Sequence, residues 1–224
     1  MSAAALRSVL CSVIAAAGCA SQPPAPVPPP APSPAPVPAA VIREARYDDY
    51  TRYELLAPDS ARFAIQFETV ATKAGDTYYF NPIRKGSEAS GERVFDMTSG
   101  KPLAFDVVTG AVAKESGLAD ADPDTSYIRV GLPRPVPENG QIRLFIEKTY
   151  KDPGSYFRQG DSIVFARSLG VRRNAVVLPL GFELVACNVP SQVAEEADGR
   201  IRVSFINTAP DAVSLIVQAR KLGP

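Results

Sequence analysis

Two short polar segments hold the side chains best suited to gripping a ligand: Asn81-Pro82-Ile83-Arg84-Lys85-Gly86-Ser87-Glu88 and Gly170-Val171-Arg172-Arg173-Asn174. Each sets cations beside turn-forming residues. Guanidinium forks on Arg84, Arg172 and Arg173, with the ammonium of Lys85, could receive an anionic group. The plainer use of the same side chains is to hold loops through backbone carbonyls. Tyr78 and Tyr79 precede the first segment, and further aromatics stand at Tyr47, Tyr50, Tyr53, Tyr150, Tyr156 and Phe157. Exposed, such rings stack on sugars or anchor a protein partner; packed, they close the edge of a sandwich. The chain has no tryptophan, which weakens sugar recognition.

Catalytic chemistry is constrained by an absence, since the chain contains no histidine. Ser-His-Asp and Cys-His hydrolysis, His-ligated zinc proteases and the His-containing deaminase signature all need imidazole. No phosphate-binding loop and no dinucleotide fingerprint appear, so no cofactor is expected. Acid pairs need no imidazole, and Asp48, Asp49, Glu54, Asp96, Asp106 and Glu147 leave open a histidine-free glycan hydrolase as the alternative function. Asp120, Asp122 and Asp124 alternate as calcium ligands do. An EF-hand, however, would need Gly where Thr125 stands and Glu where Gly131 stands, so the segment reads as a solvated acidic turn, with a metal site as the weaker reading. Cys187 is left without an intramolecular partner once Cys11 and Cys19 are assigned to the amino-terminal region, and it reads as a small buried hydrophobe.

Those candidate groups need a carrier, and the amino terminus says where it resides. Arg7 is followed by an apolar run from about Ser8 to Ala17, shorter than the about 20 apolar residues that cross a bilayer, as in a secretory signal. Ala16-Ala17-Gly18-Cys19 resembles the lipobox of bacterial lipoproteins, with Ala16 where Leu is commoner. The resemblance implies that residues 1–18 are removed and that Cys19 carries the lipid. Ala20, which is not Asp, implies the outer membrane, facing the periplasm. Each buried methylene of an acyl chain contributes about 0.8 kcal/mol, so several chains anchor durably.

Residues 19–41 form a linker in which Gln22 to Pro38 is almost wholly Pro, Ala and Val. Proline fixes φ and removes the amide donor, favouring an extended polyproline II spacer of about 3.1 Å per residue. Residues 42–224 are long enough for one domain with a proper core. The whole chain has 24 basic and 24 acidic residues; losing Arg7 leaves 23 against 24, a net charge of −1. Such a surface offers no bulk attraction for nucleic acid.

The body alternates apolar and polar residues with period two, in Phe63/Ile65/Phe67, Ile142/Leu144/Ile146 and Ile201/Val203/Phe205. Further strands are expected at 50–56, 77–83, 103–108, 127–132, 162–166, 175–185 and 213–220. About ten short strands predict an all-β fold, an antiparallel β-sandwich. Asp198-Gly199 and Asn139-Gly140 predict type I′ hairpins, and Ala111 to Gly117 is ambiguous between helix and strand. Tyr53-Glu54-Leu55 leading into Phe63 to Phe67, with Ile142 to Ile146 and Tyr150, resembles the amino-terminal β domain of M1-type aminopeptidases. That resemblance implies a sandwich that scaffolds or shields a neighbour, and it carries over no catalytic residue. The expected function is a lipid-anchored cell-envelope protein whose β domain binds or scaffolds an envelope protein or polymer without catalysis.

Overall fold

The structure, a computed structural model, describes residues 49–223. The signal sequence, Cys19, the linker, Tyr47 and Asp48 lie outside them. Among the described residues, alternation produces two ten-residue strands, β2 (Arg62–Ala71) and β7 (Ile142–Lys151), paired antiparallel along their whole length. Phe63, Ile65, Phe67, Ile142, Leu144 and Ile146 all turn inward and are buried. β1 (Tyr50–Leu55) and β4 (Glu88–Asp96) flank the pair, and β10 (Arg173–Val177), β13 (Ile201–Ile206) and β12 (Gln192–Glu195) extend it beyond β1. The result is a seven-stranded sheet in the order β12-β13-β10-β1-β2-β7-β4, in which β1 and β10 run parallel.

Two smaller antiparallel sheets cover its inner face. One is β11-β14-β9-β8, from β11 (Phe182–Cys187), β14 (Val213–Lys221), β9 (Ser162–Leu169) and β8 (Tyr156–Gln159). The other is β3-β6-β5, from β3 (Tyr78–Pro82), β6 (Ser126–Gly131) and β5 (Phe105–Thr109). Phe165 of β9 meets Tyr53 and Phe63 at ring-centroid distances of 5.3 and 5.2 Å, joining the four-stranded sheet to the seven-stranded one. Ile128 and Val130 of β6 belong to the same core. Apolar faces that cannot be buried within one sheet are thus buried between sheets, giving the expected all-β sandwich.

Local predictions needed correction in several places. The strand expected at 175–185 is two, β10 and β11, in different sheets, because Pro179 cannot donate to a ladder and Gly181 turns the chain at φ +77°. β4 and β8 were unforeseen; in β4, Gly91 and its charged neighbours hide the alternation, and β8 is only four residues long. Asn139-Gly140 forms a turn in which Gly140 N–H donates to the Pro137 carbonyl at 3.2 Å, but β6 and β7 lie in different sheets and the turn closes no hairpin. Asp198-Gly199 does join the β12–β13 hairpin; its loop has three residues between the paired Glu196 and Arg200, with Gly199 alone at φ +80°. The ambiguous segment is helical: α1 (Gly110–Glu115) starts where Thr109 Oγ1 accepts the Val112 N–H at 3.4 Å.

Candidate functional site

Alternation in β7 continues past Ile146 to Lys148 and Tyr150, placing an amine on the buried face of the seven-stranded sheet. Lys148 is only 6% exposed. Across from it on β4, Gly91 and Glu92 together oppose this single residue, a β-bulge with Gly91 at φ +66°. The Lys148 ammonium nitrogen donates to Asn81 Oδ1 on β3 and lies 4.8 Å from the Tyr150 ring centroid. Burial, aided by the nearby Arg167 and only partly opposed by Glu92, pushes the amine down to about 7. The ordinary lysine value is about 10.4.

Arg167, on β9, enters the same interior from the opposite sheet. Its Nη1 donates to Asp152 Oδ2 at 3.0 Å and to Ser155 Oγ at 3.3 Å. Its guanidinium lies 5.3 Å from the ring centroids of both Phe63 and Tyr150. Asp152 follows β7 and also accepts the Ser155 amide and the Ser155 and Ser87 hydroxyls at 3.0, 2.7 and 2.9 Å. Burial alone would raise this carboxyl; the serine bonds and Arg167 outweigh it and hold the group below its usual range. Asp152 and Arg167 are therefore a closed pair, whereas Lys148, among the described residues, has an amide oxygen and no carboxylate as its hydrogen-bond partner.

Between these cations lies a cavity of about 300 Å³, at the seam where the two smaller sheets meet over the larger one. Thr51 and Tyr53 of β1, Ile65 and Phe67 of β2, and Lys148 and Tyr150 of β7 form its floor. Asn81, Pro82 and Arg84 close one side; Arg167 to Val171 close the other. Arg84 is exposed at the rim, its backbone N–H donating to Tyr150 Oη at 3.3 Å and its Nη1 to the Ser168 carbonyl at 3.3 Å.

The residues singled out from sequence are dispersed. Arg84 alone of the four cations lines the seam cavity. Lys85 pairs with Asp122 at 3.0 Å, Arg172 lines a separate surface hollow, and Arg173 stands over the Tyr50 ring at 5.6 Å. Tyr78 receives the Arg129 guanidinium at 5.2 Å, while Tyr79 turns inward and its hydroxyl bonds Thr69 Oγ1 at 3.2 Å. Tyr50 and Tyr53, three apart on one strand, face opposite sides, so the tyrosine series is no single cluster. Asp122 accepts the Asp124 amide and the Thr125 hydroxyl within the turn and pairs with Lys85 from the segment 81–88, which engages both its oxygens. Asp120 and Asp124 join it in no metal-binding cluster: among the described residues no three His, Cys, Asp or Glu side chains are placed to hold a metal ion. The acids are committed too. Glu54 bonds Arg52 and Arg200, Asp96 caps Thr98 and Ser99, Asp106 forks onto Arg129, and Glu147 pairs with Arg93. Cys187 is a free, half-buried thiol packed against the core.

Lys148, Arg167 and Asp152 were missed. Extending the Ile142/Leu144/Ile146 alternation by one step would have flagged Lys148, but nothing local marks Arg167 as facing it.

No protein-family model and no curated protein matches the sequence. Solved structures do. An M1 zinc metallopeptidase from Deinococcus radiodurans is 10% identical with a TM-score of 0.50, over 77% of this chain and 41% of that one. A mutant of that enzyme is 9% identical over the same shares, with a TM-score of 0.48. The likeness is one of fold. It agrees with the sandwich that the resemblance to M1-type aminopeptidases implied, and this chain spans less than half the length of those structures. Zinc belongs to the description of that enzyme; this chain has no histidine, and among its described residues no cluster of Cys, Asp or Glu is placed to hold a metal ion.

Proposed function

We propose that this protein is a lipid-anchored component of the bacterial cell envelope whose β-sandwich is a non-catalytic binding domain. The lipobox-like Ala16-Ala17-Gly18-Cys19 and the proline-rich spacer support the anchor. One observation carries the binding role: the seam cavity is walled by aromatic and apolar side chains with cations and hydroxyls set among them. That composition suits capture of a ligand more than bond cleavage. The fold shared with part of an M1 metallopeptidase supports a module that works beside a neighbour.

Two measurements test this reading. The wild-type chain is expected to incorporate labelled palmitate and to sediment with membranes, and Cys19→Ala to do neither; an unlabelled wild-type Cys19 would remove the anchor. The anchored chain is expected to retain a discrete envelope protein or polymer fragment from extract, more than a variant with scrambled surface charges does. Equal retention by both would remove the binding role.

A further inference from the structure

The chemistry at the seam cavity narrows what could enter it. Arg167 and Asp152 neutralise each other by direct contact, leaving Lys148, once protonated, as one unmatched positive charge inside the cavity and Arg84 as a second at its rim. Ile65, Phe67, Leu169 and Val171 supply apolar wall. A cavity of about 300 Å³ is at the small end of ligand pockets, room for a short chain or for the end of a longer one. Inorganic phosphate would leave the apolar wall unused, and a neutral ligand would leave the protonated amine without a counter-ion.

We propose that the seam cavity binds one carboxylate borne on a short apolar chain, with Lys148 and Arg84 as its charged partners and the apolar wall holding the chain. This deepens the binding reading above and rests on it. The carboxylate could be that of a free short-chain acid or the terminal carboxylate of a peptide segment. Entry of the anion supplies the partner Lys148 lacks, so binding draws a proton onto an amine that burial otherwise keeps partly neutral near pH 7. The groups facing Lys148 set the background of this exchange. They are Arg167 from β9, Tyr53 from β1, Asn81 from β3, Tyr150 from β7 itself, Glu92 from the β4 bulge and Arg84 at the rim. Tyr53 and Tyr150 are both shifted upward, first of all by burial, and stay neutral across the range in question.

Titration calorimetry of the full chain with hexanoate at pH 8, in two buffers of different ionisation enthalpy, is the test. Hexanol and inorganic phosphate serve as controls, and a hexapeptide with and without a carboxy-terminal amide separates the two sources. Hexanoate is expected to bind with uptake of close to one proton, about tenfold more weakly at pH 9 than at pH 8. Lys148→Met should abolish both binding and uptake. Arg84→Met, which removes only an exposed side chain, should weaken binding about tenfold and keep the uptake. Hexanoate binding without proton uptake, binding unchanged by Lys148→Met, or a preference for phosphate would overturn the proposal. Envelope-partner capture that survives Lys148→Met would overturn this site while leaving the broader binding role standing.

Discussion

Replacing Lys148 with methionine should make the protein more stable near neutral pH, and the gain should fade as the pH rises. An amine held down to about 7 in the folded chain, but titrating near its ordinary value when unfolded, must release its proton on folding throughout the interval between. Within that interval the unfolded chain binds more protons than the folded one, so stability rises with pH, by about 1.36 kcal/mol per unit at most. The burden works out at about 4 kcal/mol at pH 7 and about 1 kcal/mol at pH 9.5, a change of about 3 kcal/mol. Methionine fills a similar volume and carries no proton. It orphans Asn81 Oδ1, which costs about 1–3 kcal/mol, but this cost does not vary with pH. Denaturant unfolding of both full chains at half-unit steps from pH 7 to 9.5 reads the difference directly. The upward-shifted tyrosines and surface groups are common to both chains and cancel. A difference that stays constant to within about 0.5 kcal/mol would refute the assignment of Lys148 as a buried, unpaired amine.

Asp152→Asn should destabilise the fold by about 3–5 kcal/mol, because it leaves Arg167 buried among aromatic rings without its counter-ion. As the wild-type carboxyl is held low, its contribution is complete above the ordinary aspartate range and is lost as pH falls through the folded value; urea midpoints between pH 5 and 2 should show an acid-dependent loss in wild type that is smaller in the variant. Gly110→Ala should cost about 1–3 kcal/mol in thermal unfolding, since a Cβ there overlaps the Asp122 carbonyl and must push the Asp120–Asp124 turn away from α1. Phe165→Ala removes the ring that bridges two sheets and should cost about 3–5 kcal/mol, with Tyr53 and Phe63 each losing one of their ring contacts.

The body's strands were legible because burying one face imposes period two on the side chains, and Phe63 to Phe67 and Ile142 to Ile146 print that period plainly. The expected addresses of the chain, Cys19 and the proline run, are likewise written in consecutive residues. Arg84 could be suspected from its local company in the segment 81–88. Its role in a cavity could not, because the cavity is assembled from β1, β2, β3, β7 and β9, whose residues lie up to 120 positions apart between Thr51 and Val171. Strand periodicity tells which side of a strand is buried, and it is silent about which sheet the strand joins or what waits across the interior. Only the packing of three sheets sets Lys148 against an amide while giving Arg167 a carboxylate. Charge inside a protein is governed by distance and desolvation in space, and neither is encoded by neighbours along the chain.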